Sequence, residues 1–199
     1  MATQKQDERV RRVENAAYKL ICDNGFKATS MLAIAREART SNQTLYRWYG
    51  DKIGLFNALV LRNGTSVRNH LNQALNTDIP ALYALGEVAP VFLEMLLGPR
   101  AIALNQAAAS DPTGALGKAL ARQGRQEIAP LFQALIEKAQ AEGTLRHAPI
   151  DHILSTYFSL LIGDLQIRRV TGAMPPLSPD DISKRAGQAH LDFVTLFAP

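Results

Sequence analysis

Cysteine is almost absent from this sequence, which has one, Cys22, among 199 residues. A single cysteine excludes an intramolecular disulfide and a zinc site built from several cysteines. Because Cys22 follows Leu20 and Ile21, we expect its thiol to pack inertly in the core. No run reaches the roughly 18 to 20 unbroken apolar residues of a membrane span. The N-terminus, MATQKQDERVRRVE, is too polar for a secretory signal, so the sequence predicts a cytoplasmic protein without a membrane segment.

Sustained alternation of polar and apolar residues, the pattern of β-strands, is also missing. Glycine and proline instead separate segments rich in Ala, Leu, Gln and Arg, so we predict an all-α fold of about nine helices. The first three are short and lie near 7–24, 31–38 and 42–49. A longer one follows over about 52–75, and the later ones span about 80–97, 101–109, 113–121, 124–142, 150–171 and 180–197.

Positive charge is concentrated in the N-terminal third of the chain. Residues 1–70 contain 12 Lys/Arg against 6 Asp/Glu, whereas the remaining 129 residues contain 10 against 12. Clustered Lys and Arg are what phosphate contacts require, so this balance favours a partner that is a polyanion. A solvated helix face that is basic by chance is the alternative.

The stretch TSNQTLYRWYG, residues 40–50, is short for a helix and unusually rich in large polar and aromatic side chains. Ser41 or Thr40 is placed to cap its N-terminus. A second short helix, MLAIAREA, precedes it after a cap at Thr29 or Ser30. Two short helices joined by a tight turn predict a helix-turn-helix, whose second helix lies in the major groove of DNA.

The outward face of that second helix has the side chains that base edges need. Leu45 and Tyr49 are four residues apart and can bury the opposite face. Asn and Gln can pair with adenine, Arg with guanine, and Thr can contact the methyl group of thymine. The residues of these types are Asn42, Gln43, Thr44 and Arg47, with Trp48 expected beside them. An exposed helix of an ordinary bundle would leave both this crowding and the basic N-terminal third unexplained.

At these residues the chain resembles the tetracycline-repressor (TetR) family of bacterial transcription regulators. The resemblance is strongest over about residues 10 to 60, in ICDNGFKATSMLAIAREA and SNQTLYRWYGDKIGLF. Thr44-Leu45-Tyr46, the aromatic Tyr49 and Lys52 match the most recognisable run of the family. The resemblance implies a transcriptional regulator, most simply a repressor that a small effector releases from its operator.

The resemblance also implies an assembly and a set of partners. It implies a homodimer on a near-palindromic double-stranded DNA operator, and a helical C-terminal domain that dimerises and binds an effector. We therefore expect a helix-turn-helix domain over residues 1–52 and a ligand-binding and dimerisation domain over 53–199. The phosphate contacts that it implies come from Thr29 or Ser30, Tyr46 and Lys52.

Two residues depart from the pattern of the family. The turn usually has glycine followed by a branched apolar residue, and here it has Arg39 and Thr40. A non-glycine residue is strained there if the turn requires a positive φ angle. Gln43 stands where many members have glycine, so its side chain either reads a base or limits how closely the helix approaches DNA.

The C-terminal two-thirds contain two helices that are more apolar than one buried face requires. They are ILSTYFSLLIGDLQIRRV, from residue 153, and AGQAHLDFVTLF, from residue 186. Since the family dimerises through its last two long helices, we expect Leu161 and Phe193 at the dimer interface, with Gly163 allowing a close helix crossing. A fully buried core helix is the alternative.

Large apolar side chains of the same region are candidates for an effector pocket. They outnumber polar ones, and methionine lines adaptable sites well. The candidates are Phe92, Met95, Leu96, Phe132, Leu135, Tyr157 and Phe158. Because no buried cluster of charge is evident, the effector is expected to be apolar. The alternative is that these residues form an ordinary core.

Nothing in the sequence indicates catalysis, a cofactor or a metal site. The four histidines are scattered, and His147 and His152 are separated by Pro149, so they share no helical face as metal ligands would. Asp164 and Arg168 have the spacing of a structural ion pair. Besides a DNA-binding repressor, two hypotheses remain: a small-molecule sensor that has lost DNA binding, which Arg39 would favour, and a helical enzyme, for which no residues are evident.

Overall fold

Helices dominate the chain because its apolar residues recur at three- and four-residue steps. A computed structural model of the protein describes residues 2–199, with side chains from Gln6 onward. No strand occurs in that range, and the predicted all-α fold is confirmed. Its twelve α-helices are α1 Ala2–Ala28, α2 Met31–Glu37, α3 Asn42–Tyr49, α4 Lys52–Asn63, α5 Thr65–Leu75, α6 Ala81–Leu97, α7 Pro99–Ala109, α8 Ala115–Leu120, α9 Gln126–Ala141, α10 Ile150–Ile162, α11 Leu165–Val170 and α12 Pro179–Phe197. A π-helical turn, Ala121–Arg125, joins α8 to α9.

Helix α1 is longer than the sequence predicts, and it bends at Gly25, whose φ of 79° and ψ of 160° are not helical. The predicted apolar stripe is buried at Val13, Ala17 and Ile21. Cys22 is exposed, so its expected place in the core is wrong. Nine residues after Val13, it lies on the opposite side of the helix. Partial burial, together with the neighbouring Asp23, still raises the pKa of its thiol.

The helix predicted over 52–75 is broken at Gly64 into α4 and α5. Gly64 is buried, and a Cβ atom there would lie 2.9 Å from a guanidinium nitrogen of Arg68 and 3.0 Å from Cδ1 of Ile128. The break is therefore a point of close packing against α9, where a larger residue would force its neighbours apart.

The helix predicted over 150–171 is also broken, at Gly163, between α10 and α11. Gly163 has a φ of +50°, a conformation that favours glycine, so it ends α10 instead of serving a helix crossing. Arg185 donates hydrogen bonds to the carbonyl oxygens of Leu160 and Leu161 at that end. The predicted ion pair of Asp164 and Arg168 is present, with 3.8 Å between its charged atoms.

The chain divides into two compact units that do not follow a single cut in the sequence. Unit 1 combines the residues up to Arg62 with Pro99–Gln123, and thus contains α1–α4, α7 and α8. Its buried core is rich in alanine and includes Ala17, Ile34, Leu45, Phe56 and Leu104. Helices α7 and α8 belong to it because their apolar faces complete this core.

Unit 2 combines Asn63–Gly98 with Gly124–Pro199, and thus contains α5, α6 and α9–α12. Its core combines alanine with large apolar and aromatic side chains of these helices. Six aromatic rings form a connected series within it, with neighbouring centroids 5.1 to 5.9 Å apart: Phe92, Phe132, Tyr157, Phe158, Phe193 and Phe197. The hydroxyl of Tyr157 donates to the carbonyl oxygen of Leu85, which satisfies the polar atom that this buried ring carries.

Within residues 2–199, no single helix is both long and apolar enough to cross a membrane. Only α6 and α7 counted together, across the break at Gly98, reach the required length and composition.

Candidate DNA-binding surface

Both short helices of the predicted helix-turn-helix begin at a serine cap. The hydroxyl oxygen of Ser30 accepts a hydrogen bond from the backbone of Ala33, and that of Ser41 accepts one from Thr44, each at 3.1 Å. Each cap satisfies one of the free N–H groups at a helix start. Of the alternatives in the sequence, Ser30 and Ser41 are the capping residues.

The turn between α2 and α3 depends on Arg39, the only non-glycine residue with a positive φ, 52°, in residues 2–199. Its N–H donates to the carbonyl of Arg36, and the N–H of Thr40 donates to that of Ala35. This pair of hydrogen bonds is a Schellman motif, in which the residue after the helix takes the left-handed conformation. The turn thus has the geometry that glycine supplies elsewhere in the family, at the expense of backbone strain at Arg39.

Helix α3 is anchored through one buried residue and exposes the opposite face. Leu45 is fully buried against unit 1's core. Gln43, Tyr46 and Arg47 are exposed, and Tyr46 keeps 49% of its surface accessible. An aromatic side chain left this open on an eight-residue helix, beside an arginine and a glutamine, is a surface suited to a polar partner.

Two of the predicted base-reading residues are less exposed than these. Asn42 and Thr44 are half-buried. The Thr44 hydroxyl lies 2.8 Å from that of Ser41, so it supports the cap of α3. The side-chain oxygen of Asn42 is buried without a hydrogen-bond partner among the described residues.

Trp48 does not lie on the outward face, where the sequence suggested it. It is half-buried and packs against unit 1's core, with its ring 6.3 Å from that of Tyr49 in an edge-on arrangement. Burial raises the pKa of Tyr49 to about 12. The end of α3 therefore faces inward, and its first two turns provide the exposed surface.

Thr29 and Ser30 have different roles, although the sequence leaves either one as a phosphate contact. Thr29 is 3% exposed, and its hydroxyl donates to the carbonyl oxygens of Leu20 and Gly25, at 3.1 and 2.8 Å. Its hydroxyl therefore fixes the bend of α1 and is turned away from solvent. Ser30 is exposed at the start of α2.

Lys52, at the start of α4, is half-buried. Its ammonium group lies 4.3 Å from the centroid of the Phe26 ring and 3.3 Å from the carbonyl oxygen of Lys27, to which it donates. Burial lowers the pKa of Lys52. The positive charge of Lys52 is thus held near the bend of α1. The exposed Ser30 follows that bend by a few residues in the sequence.

A polar cluster beneath α3 gave no recognisable signal in the sequence. Glu14 of α1 is 6% exposed, and an oxygen of its carboxylate lies 3.1 Å from Nε of Arg62. Burial raises the pKa of Glu14, although Arg62 acts in the opposite direction. The Tyr18 hydroxyl donates to the carbonyl of Leu59 at 2.7 Å. The one clue to this cluster in the sequence is Glu14, an acidic residue next to Val13 of the apolar stripe of α1.

Two family models account for most of the chain. Residues 15–59 match the model of bacterial regulatory proteins of the tetR family, and residues 83–198 match the C-terminal domain of AefR-like transcriptional repressors. The second match alone covers more than half of the chain. The chain belongs to the TetR family. It is therefore a DNA-binding transcriptional regulator and not an enzyme, as its sequence predicts.

Individual regulators that resemble the chain agree with this assignment. The HTH-type transcriptional regulator HbdR of Aromatoleum sp. (strain CIB) is 41% identical over 46 residues, which are 23% of this chain and 20% of HbdR. A TetR transcriptional regulator from Agrobacterium tumefaciens is 27% identical, with a TM-score of 0.74 over 96% of this chain and 94% of its own. The flavonoid-responsive regulator FrrA is 25% identical, with a TM-score of 0.68 over 97% and 98%.

The candidate effector residues of this TetR-family chain lie together in unit 2, where they form part of its core. Phe132, Leu135 and Tyr157 are at most 1% exposed, and Phe92 is also buried. The other three candidates, Met95, Leu96 and Phe158, are half-buried at the edge of the same core.

The candidate dimer residues are placed differently from what the sequence suggested. Leu161 and Phe193 have no exposed surface, because they point into the core of their own chain. In this arrangement they offer no area to a second copy. Helix α12 instead exposes Leu191 and Leu196, at 62% and 49%.

No group of three or more His, Cys, Asp or Glu side chains is arranged to hold a metal ion in the described part of the chain.

Proposed function

We propose that this protein is a cytoplasmic, dimeric repressor that binds a near-palindromic operator through α3 and is released by a small, mostly apolar effector. The observation that carries the proposal is the exposed face of α3, where the side chains of Gln43, Tyr46 and Arg47 are accessible to solvent. In this proposal unit 1 binds DNA and unit 2 binds the effector and dimerises, so the expected domains 1–52 and 53–199 are modified: α4, α7 and α8 go with the DNA-binding unit.

On DNA, the exposed residues of α3 divide by chemistry. Arg47 and Gln43 approach base edges, since arginine pairs best with guanine and glutamine with adenine. Asn42 and Thr44, at the start of the helix, also lie close to the bases, but their half-buried side chains expose less surface for contact. Phosphate contacts come from Tyr46, Ser30 and Lys52, and the buried Thr29 supports them through the bend of α1.

Substitution of Arg47 tests base reading. Arg47→Ala should weaken operator binding by about 1–3 kcal/mol and relax the preference at one base pair, because one bidentate contact is lost. Arg122→Ala removes the same charge from an exposed site in the π-helical turn and serves as the matched control. Fluorescence anisotropy with an operator fragment and its single-base variants measures both. Equal losses on operator and random duplex would overturn the base-reading role.

Substitution of Lys52 tests the phosphate contact. Lys52→Ala should weaken binding to every sequence alike and reduce the slope of log affinity against log salt by about one unit. An unchanged slope would mean that Lys52 makes no phosphate contact and only packs against Phe26. A gel shift with DNA upstream of the chain's own gene also separates this proposal from a sensor that has lost DNA binding.

The dimer is proposed to form through α10 and α12, with the exposed face of α12 as the contact. Leu191 and Leu196 are large apolar groups left in water by the single chain, and Gly187, one turn before Leu191, has open space where a Cβ would lie. Two recognition helices would then meet half-sites about 34–36 Å apart. Leu191→Glu should give a monomer by light scattering, with operator binding greatly weakened. A stable wild-type monomer at micromolar concentration would refute the dimer.

The effector is proposed to bind in unit 2 beside the half-buried Met95, Leu96 and Phe158, with the aromatic core behind them. An apolar or aromatic molecule suits this lining, and the similar regulator FrrA is flavonoid-responsive by name. By linkage, an effector that releases DNA is itself bound more weakly by the operator complex. Thermal-shift screening with flavonoids and other aromatic compounds, followed by operator release, tests this. Compounds that bind tightly but leave the affinity for the operator unchanged would refute the proposed release of DNA by an effector.

A further inference from the structure

Helices α7 and α8 belong to one part of the chain by sequence and to another by packing. Their residues fall within 83–198, the stretch matched by the C-terminal family model. Their apolar faces nevertheless form part of unit 1, where Ala103, Leu104 and Ala107 lie in the same buried core as Val13 of α1. The unit that carries the recognition helix is therefore completed by a segment that follows α6.

Arg100, in the first turn of α7, contacts two side chains of α1. One guanidinium nitrogen of Arg100 donates to the side-chain oxygen of Asn15 at 2.9 Å. The guanidinium carbon lies 4.9 Å from the centroid of the Tyr18 ring, within the range of a cation–π interaction. Asn15 and Tyr18 are three residues apart on α1, so Arg100 contacts two successive positions of one helix face.

The part of α1 that Arg100 contacts is in turn joined to the helices that hold α3. The Tyr18 hydroxyl donates to the carbonyl of Leu59 in α4. Glu14, one turn earlier, pairs with Arg62 at the end of α4. Tyr49, the last residue of α3, packs against the same core as Tyr18 and has its hydroxyl buried.

The chain enters α7 directly from α6. Only Gly98 separates Leu97, the last residue of α6, from Pro99, the first of α7. Helix α6 also carries Phe92, Met95 and Leu96, three of the proposed effector-contacting residues. Arg100 therefore follows the last residue of α6 by three positions in the chain.

We propose that Arg100 is a positioning residue for operator binding: its contacts with Asn15 and Tyr18 fix α1, and through α1 the recognition helix. This proposal rests on the proposed function, since it assigns the contact through which the segment after α6 acts on the DNA-binding surface. Arg100 itself touches no DNA in this role. Its effect is on specific binding, because only specific binding requires α3 to be held in one orientation.

The first experiment compares Arg100→Ala with Arg100→Lys and the control Arg122→Ala. Each protein is titrated against the operator fragment from upstream of its own gene and against a random duplex of equal length. Arg100→Ala should weaken operator binding about three- to tenfold, as expected for the loss of one cation–π and one hydrogen-bond contact, and should leave random-duplex binding within about twofold. Arg100→Lys should fall between, because a lysine keeps the charge but lacks the planar fork.

A direct phosphate contact gives a different result. If Arg100→Ala lost affinity equally for both duplexes, and Arg122→Ala did not, Arg100 would act as a charge on DNA and the proposal would be overturned. Unchanged binding of both duplexes would overturn it as well.

Hydrogen exchange of the free protein tests the positioning separately from DNA. In Arg100→Ala, amides of α3 and of α1 around Asn15 should exchange faster, whereas those of unit 2 should be unchanged. Unchanged exchange in α3 would overturn the proposal even if operator binding fell. A wild-type protein that binds no operator would instead refute the proposed function, and the exchange data would still decide the role of Arg100.

Asn15→Ala provides a milder variant in case Arg100→Ala disturbs folding. It removes only the hydrogen-bond acceptor and leaves Arg100 over Tyr18. In a double-mutant cycle on operator affinity, Asn15→Ala should have little further effect once Arg100 is alanine. Fully additive losses would show that the two residues act independently and would overturn the proposal.

Discussion

The cores of the two units of this regulator differ most in their aromatic rings and buried polar groups. Unit 2 is filled by connected aromatic rings, with centroids 5.2 Å apart between Phe92 and Phe132 and 5.1 Å apart between Tyr157 and Phe193. In unit 1, seven of the nineteen buried core residues are alanine, against seven of twenty-four in unit 2. Unit 1 also contains two buried polar residues, Glu14 and Thr29, whose oxygens are hydrogen-bonded.

This difference suits two different tasks. Small side chains allow helix backbones to approach closely, and buried hydrogen bonds have a defined geometry, so unit 1 holds α3 in one place. Ring-against-ring contacts tolerate several relative angles, from nearly parallel to edge-on. Under the proposed function, unit 2 would accommodate an apolar effector by shifting its rings, whereas unit 1 would lose hydrogen bonds if its helices moved.

The largest effect is expected from removal of a central ring in unit 2. Phe132 is fully buried and lies against Phe92, Tyr157 and Phe158. Phe132→Ala should lower the free energy of unfolding by about 3–5 kcal/mol, because it leaves a cavity that the surrounding side chains fill only in part. Urea unfolding followed by far-UV circular dichroism measures it, with Tyr83→Ala, at a residue that is 60% exposed, as the control. A loss below that of the control would mean that the rings repack freely.

A smaller effect is expected at the polar contacts of unit 1. Thr29→Val keeps the shape of the side chain but leaves the Leu20 and Gly25 carbonyls without their donor, which should cost about 1–3 kcal/mol. Trp48, the sole tryptophan, reports unfolding of this unit by fluorescence. Thr29→Ser retains the hydroxyl and should be close to wild type. If Thr29→Val instead left stability intact and reduced the salt dependence of DNA binding, Thr29 would be a phosphate contact after all.

Strain in the turn of unit 1 predicts a stabilising substitution. Arg39→Gly should raise the free energy of unfolding by about 0.5–1 kcal/mol, since glycine takes a positive φ without steric strain but has more freedom in the unfolded chain. Arg39→Ala keeps the strain and should give no gain. Thermal unfolding of the three proteins distinguishes them, and equal stability of Arg39→Gly and Arg39→Ala would show that the turn is unstrained.

The smallest effect is expected on the pH dependence of stability, through a histidine of unit 2. His190 is half-buried with its ring against Gly86, and burial lowers its pKa below the ordinary 6.5. The unfolded chain then binds the proton more readily, so the stability contributed by His190 is complete above pH 6.5 and declines as the pH falls below it. His190→Phe should reduce this decline between about pH 6.5 and 5.

Denaturant titrations at several pH values measure the effect at His190. The exposed His147→Ala is the control, and it should retain the wild-type pH dependence. Asp111 and Asp181, whose pKa values are lowered by hydrogen bonds, lose their contribution only at more acidic pH. A decline that is the same in His190→Phe and wild type would exclude His190 as its source.

The parts of the fold that local chemistry determines could be predicted from the sequence. Ser30 and Ser41 are helix caps, and the strain at Arg39 follows from a turn that requires a left-handed residue. The break at Gly64 could not be predicted, because a glycine is tolerated inside a helix and only the packing of Arg68 and Ile128 identifies it as a break.

Burial explains the errors at the remaining sites. An apolar stripe predicts that a helix buries a face but not what covers that face. Leu161 and Phe193 could equally face a second copy or their own core, and they face their own core. For the same reason α7 and α8 were assigned with the C-terminal helices, although their alanine-rich faces complete unit 1.

The order in which the ribosome makes the chain gives the interrupted unit 1 a consequence for folding. The helix-turn-helix is synthesised early, but the core beneath it includes Leu104, Leu116 and Ala119. Those residues are synthesised only after α5 and α6. The core of unit 1 therefore stays incomplete at a stage when most of unit 2 has not yet been made. A chimera that joins this chain's first 62 residues to another regulator would inherit the same gap unless it also carried residues 99–123.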